Sequence, residues 1–165
     1  MNATLAYMTA KGYVHSSFVI LTSEHRNEKS DASFFLSTHL LIGFALELYL
    51  KSFLLAKGFA EEKIRKDFGH DLEHLYSKSI ENGLSRKYDK IIVPFKLGHS
   101  NFSYRYPKED TDYPFIPIDE LFGYLSKLDF EIDTTAGASV EYGKEPNNSI
   151  WDVPPNFREW VFKWP

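Results

Sequence analysis

Apolar residues recur along this chain at helical spacing. Leu5, Met8, Gly12, Phe18 and Leu21, widened by Val14 and Val19, predict a first helix over about Thr4 to Glu24 with these residues inside. The polar stretch from Ser23 to Asp31 reads as a connection, with Ser30 or Asp31 as the next N-cap. A second helix runs from about Ala32 to Lys57, and Gly58 suits the position just past its end. Its length is roughly 39 Å, and it is apolar nearly all round, so it belongs at the centre of a bundle. The charged run Glu61–Lys66 reads as solvated connection.

A third helix begins near His70 or Asp71, presents Leu72, Leu75, Tyr76 and Ile80 inward, and ends at Gly83. A fourth covers about Ser85 to Lys96, with Tyr88, Ile91, Ile92 and Phe95 inside and Pro94 expected to kink or shorten it. Gly98 to Phe115 reads as a loop rich in aromatic, proline and polar residues. A fifth helix starts at Pro117 and uses Ile118, Leu121, Leu125 and Leu128, with the pattern lost after Asp133. The pattern therefore predicts an all-α, five-helix, largely up-and-down bundle over residues 1–133. Residues 134–165 form an irregular extension holding Trp151, Trp160 and Trp164. So many aromatics are expected to dock on the bundle or on a second copy.

Composition narrows the function classes. The chain has 165 residues, enough for one domain, and 43% hydrophobic residues, enough for a core. It has no cysteine, which removes thiol chemistry, disulfides and thiolate metal sites. A net charge of −4 argues against a general nucleic-acid coat, though not against a local basic patch. The N-terminus has no basic and apolar regions of a signal peptide. The apolar run Leu40–Ala56 is shorter than the ~20 residues of a membrane span and contains Glu47 and Lys51. The expectation is a cytoplasmic protein without membrane contact.

Two features stand out within this pattern. Glu47 and Lys51 lie four residues apart inside Ala45-Leu46-Glu47-Leu48-Tyr49-Leu50-Lys51, on the helix expected to be most buried. The turn Gly69-His70-Asp71-Leu72 then opens the next helix, with Leu75 one turn on. Together with the arginine-containing segment Tyr104-Arg105-Tyr106-Pro107, these residues resemble the HEPN family (higher eukaryotes and prokaryotes nucleotide-binding domain). The resemblance covers about residues 1–128 and implies a small helical bundle. Many such proteins are metal-independent endoribonucleases of toxin–antitoxin, phage-defence and RNA-processing systems. Their Arg-x4–6-His pair lies near the last core helices and is completed by dimerisation. Others lack the pair and act as dimerisation or nucleotide-binding modules. Here no histidine follows Arg105 at that spacing, and the nearby His99 precedes it. The resemblance thus implies a module that forms a homodimer or binds a protein partner, with nucleotide or RNA contact and no cofactor. The alternatives are a metal-independent endoribonuclease, and a structural protein that oligomerises through its tail.

The candidate residues follow. The literal Arg-x4-His spacing falls at Arg65 and His70, which with Glu47 would be the catalytic set of a ribonuclease; Arg105, His99 and Glu47 are a second such set. The plainer reading makes His70 and Asp71 the cap of the third helix. His70 and His74 have the i, i+4 spacing of a zinc helix, but Asp71 stands where its glutamate would be and no third ligand follows, so no metal is expected. His39, Gly43, Glu47 and Lys51 form one stripe that would line any pocket, with Gly43 allowing a close neighbour. Between Leu84 and Lys108, six basic residues (Arg86, Lys87, Lys90, Lys96, Arg105, Lys108) face one acid, Asp89. Among them Tyr104, Arg105 and Tyr106, with His99, suit phosphate contact and base stacking. The ligand-binding set is thus Tyr104, Arg105, Tyr106, His99, Glu47, Lys51 and His39.

Overall fold

A computed structural model describes residues 1–24, 26, 31–111, 113–147 and 151–160, with backbone alone at 31–33. Among these residues the chain is all helical, with no strand. The helices are α1 (Ala3–Leu21), α2 (Asp31–Ala56), α3 (Glu61–Asp67), α4 (Leu72–Glu81), α5 (Asp89–Ser100), α6 (Ile118–Ala136) and α7 (Ala138–Glu141).

The long apolar helix takes the central place its pattern demands. α2 packs against α1, α4, α5 and α6 through Ile42, Ala45, Leu46, Tyr49, Leu50, Phe53 and Leu54, all buried. Its segment Phe34–Ala56 is long and apolar enough to cross a membrane, but most of that surface is covered by the other helices. Gly58 turns the chain just past its end in the left-handed region (φ +88°) that favours glycine.

Several expected boundaries move. The charged run after Gly58 is itself a helix, α3, because Ile64 anchors it in the core. A 3-10 turn, Arg86–Tyr88, precedes α5, and α5 continues past Pro94 to Ser100. α6 extends three residues beyond Asp133, and α7 follows at Gly137. The largest correction concerns α1. Its buried face is Ala6, Tyr7, Ala10, Val14, Ser17 and Leu21. Leu5, Met8, Gly12 and Val19, expected inside, are exposed. The small residues won because they let α1 lie close against α2, and because Tyr7 has a polar partner there: its hydroxyl donates to Asp129 of α6 at 3.0 Å.

Asp129 is a buried carboxylate that also accepts from Tyr49 Oη at 2.5 Å and Lys11 Nζ at 3.3 Å, tying α1, α2 and α6 together. Burial pushes its pKa up against the lowering effect of those donors. The tail packs on the bundle, with Trp151, Val153, Phe157 and Trp160 buried. Trp160 Nε1 donates to Ile116 O at 2.9 Å. The buried Arg26 guanidinium donates to Leu21 O at 2.8 Å, to Phe157 O at 3.2 Å and to Glu159 O. Trp164 and Ser30 lie outside the described residues.

Candidate functional site

The centre of the site is Glu47 on α2, a buried carboxylate with three donors from three elements. Lys51, one turn on, donates to Oε1 at 2.6 Å. His99, at the end of α5, donates through Nε2 to Oε2 at 2.6 Å. His70, in the turn before α4, donates through Nδ1 at 3.0 Å. Burial by itself would raise the Glu47 pKa, but the hydrogen bonds from His99 and Lys51, the Lys51 charge and the His70 bond outweigh it and hold it at about 2.

Local sequence sets each partner in place. Gly43 lies one turn before Glu47, and a Cβ there would sit 2.6 Å from His99 Nδ1. The small residue thus provides the close approach expected of it, and its neighbour is the His99 ring. Gly69 takes a left-handed backbone (φ +53°), which swings His70 toward α2. Asp71 caps α4, accepting from Glu73 N at 2.9 Å and His74 N at 3.0 Å. His70 takes no part in that cap. Ser100 ties the turn to α5, donating to His70 O at 3.3 Å and accepting from Leu72 N at 3.4 Å.

The two histidines differ in exposure. His99 is sealed, with 4% of its side chain exposed, whereas 49% of the His70 side chain is open. An ionised carboxylate only accepts hydrogen bonds, so the His70 Nδ1 facing it carries a proton. In the neutral ring that leaves Nε2 as a lone-pair acceptor. Phe102 packs against the same ring, 5.5 Å between centroids. Arg105 lies on the other aromatic contacts of the patch, its guanidinium carbon 5.5 Å from the Phe102 centroid and 5.2 Å from that of Phe44. Phe102 is the one non-glycine residue with positive φ (62°) among the described residues. A bulky side chain there stores roughly 1–3 kcal/mol of backbone strain, a feature that clusters at functional sites. The turn it makes presents Arg105, whose N–H donates to Phe102 O at 3.0 Å.

Other expected site residues fall elsewhere. His39 is buried in an aromatic cluster, 5.1 Å from Phe95 and 5.5 Å from Tyr113, with its ring nitrogens 2.7 Å from Phe35 O and Pro114 O. Burial lowers its pKa against the raising effect of those carbonyls. Tyr104 is buried beside it, so neither is open to a ligand. Tyr106 is exposed. Arg65 is on α3 beside Glu61 and Lys51, and no hydrogen bond joins it to His70. The stripe from His39 to Lys51 faces protein, apart from Lys51 at the edge of a small pocket with Met1 and Ile64, and does not line the cavity at the end of α5. That cavity, about 590 Å³, lies between α5 and the following loop, against Leu97, Gly98, Lys108 and Tyr113. The space beside Arg105 and Phe102 is about 10 Å³, so the site is a surface and not a deep pocket. The basic excess also shrinks. Lys87 pairs with Glu131, Lys90 with Glu120 and Lys96 with Glu73, which leaves Arg86, Arg105 and Lys108 without an acid partner among the described residues.

Glu47, His70 and His99 each offer a ligand-type atom within 4.8 Å of the others, a spacing a metal ion could use. Lys51 already occupies the same carboxylate, so a dication would have to expel an ammonium group and both imidazole protons from it. The donor set therefore suits a hydrogen-bond network better than a cation. Compared with known proteins, the chain matches no family model, no curated protein and no solved structure.

Proposed function

We propose that this chain is a HEPN-like helical module that binds the phosphate backbone of RNA at the surface formed by His70, Phe102 and Arg105. The observation that carries this reading is the fixed orientation of His70. Glu47 holds its Nδ1, 49% of its side chain is exposed, and Phe102 connects it to an arginine without an acid partner among the described residues. A guanidinium forks onto phosphate oxygens, an imidazolium adds a second donor, and an exposed aromatic edge offers stacking. The shallow form favours an extended phosphodiester strand over an enclosed mononucleotide. Arg105→Ala is expected to weaken binding of single-stranded RNA in fluorescence anisotropy and to flatten its salt dependence. Affinity and salt dependence equal to those of the unaltered chain would overturn this reading.

One observation favours a second reading, metal-independent RNA cleavage. A buried carboxylate orienting an open imidazole is the arrangement of a general base, and Arg105 would stabilise the charge on the attacked phosphate. Cleavage that persists in EDTA and disappears in His70→Ala would support it. Arg65, outside this network, has no role in either reading.

A further inference from the structure

Both ring nitrogens of His39 face carbonyl oxygens. Nδ1 is 2.7 Å from Phe35 O, one turn back on α2, and Nε2 is 2.7 Å from Pro114 O, shortly before α6. A carbonyl oxygen only accepts, and a neutral imidazole has a single N–H. Making both contacts at once therefore requires the imidazolium. The residue is 3% exposed, so solvent does not relieve either contact.

The surroundings suit a positive charge held without a carboxylate. Phe95 of α5 stacks on the ring at 5.1 Å and Phe35 lies at 4.1 Å. Tyr104, Tyr113 and Trp160 close the cluster at 5.8, 5.5 and 6.2 Å. Aromatic faces within about 6 Å attract a cation. Of these neighbours only the two phenols titrate, and burial pushes both up. No charged side chain acts on the ring among the described residues. His39 is thus the one group of the cluster that titrates between acid and neutral pH.

The two phenols fit the other protonation state. Their hydroxyls are buried and have no hydrogen-bond partner, a condition that calls for a reason. A neutral ring keeps its proton on Nδ1, because α2 holds Phe35 O against that atom. Nε2 then carries a lone pair, which repels Pro114 O and accepts from a hydroxyl. One nitrogen thus has two alternative pairings.

We infer that His39 is a proton-operated latch between α2 and Pro114, at the entrance to α6. As an imidazolium it ties the two together. As a neutral ring it releases the carbonyl and takes a hydroxyl of the Tyr104–Tyr113 pair. Tyr104 precedes Arg105, so the proton on His39 sets how firmly that turn is held. Burial lowers the ring's pKa against the raising effect of the two carbonyls, so the change falls below pH 6.5, with the acid side latched. The latch does not depend on what Arg105 contacts.

Nitrogen-15 NMR of the full chain tests this between about pH 4.5 and 8, where Glu47 stays ionised. His39 is assigned through nuclear Overhauser contacts with Phe95. It is expected to carry two ring protons at the acid end and one, on Nδ1, above its step. Hydrogen exchange, divided by the intrinsic rate at each pH, is read at Tyr104 N–H and Trp160 Nε1–H, which bond Gly98 O and Ile116 O. Their protection is expected to fall about tenfold or more above the same step, while the amides of α2 stay unchanged. In His39→Gln the carboxamide has no proton to lose, so the fall is absent. The other histidines remain in that variant, and a fall that persists there belongs to one of them and overturns the inference. A His39 ring that holds one proton throughout, or a ring step without a step in the two exchange rates, also overturns it. Both of these are read on the unaltered chain, whether or not the variant folds.

Discussion

Glu47 and His99 meet at 2.6 Å because the residue one turn before Glu47 is Gly43. The glycine leaves the space that the imidazole fills, and the imidazole then helps keep a buried carboxylate ionised. The same carboxylate holds His70 from the other side, so a packing decision inside the bundle reaches the exposed ring.

Gly43→Ala places a methyl group 2.6 Å from His99 Nδ1, well inside contact distance. The ring is confined by Phe44, 5.3 Å away, and cannot move freely. We expect a loss of about 1–3 kcal/mol, as for overpacked cores. Thermal unfolding would show it as a melting temperature lower by roughly 2–4 °C per kcal/mol for a chain of this size.

Acid should release the Glu47 network in a defined window. Its pKa is lowered from 4.5 to about 2 in the folded chain, so the stabilisation is fully present above pH 4.5 and is lost as pH falls toward 2. A shift of that size corresponds to roughly 3 kcal/mol. Urea titrations between pH 2 and 6 should show this loss, and Glu47→Gln should lack it, because the amide has no proton to gain.

The second buried carboxylate gives a separate expectation. Tyr49→Phe removes the 2.5 Å donor to Asp129 and leaves that oxygen buried without it. A loss of about 1–3 kcal/mol follows, and denaturant unfolding measures it. Sites joined by one network are not additive, so Tyr7→Phe and Tyr49→Phe combined should depart from the sum of the two.

Helical spacing made α2, the inner face of α4 and the start of α6 legible in the sequence. The charged pair at Glu47 and Lys51 stood out on the same helix, and the structure joins its carboxylate to His70 and His99. What spacing could not convey was which face of α1 lies inside. Both faces are apolar, and the choice turned on close approach of small residues and on the Tyr7–Asp129 bond, which joins positions 122 residues apart. His70 read more plainly as a cap than as a site residue, and only its contact with Glu47, across 23 residues, separates it from Asp71. Tyr104 and Arg105 are neighbours in sequence, yet one is buried and the other is open, because a positive φ at Phe102 reverses the chain before them.

The tail should loosen when Arg26 is removed. Its guanidinium bridges the end of α1 to the carbonyls of Phe157 and Glu159. Arg26→Ala leaves those buried acceptors without a charged donor, about 1.5–3 kcal/mol per bond lost. Limited proteolysis should then cut the segment from residue 151 onward faster, while the helical circular dichroism signal changes little.

Everything proposed for the site rests on Glu47 fixing the His70 ring through Nδ1, so that Nε2 can take up the second proton with which the ring donates to a phosphate. Nitrogen-15 NMR of the imidazole measures this directly. The expected result is a neutral ring protonated at Nδ1 and a shift at Nε2 when single-stranded RNA is added, absent in Arg105→Ala. A neutral ring protonated at Nε2, or an Nε2 signal indifferent to RNA, would contradict it.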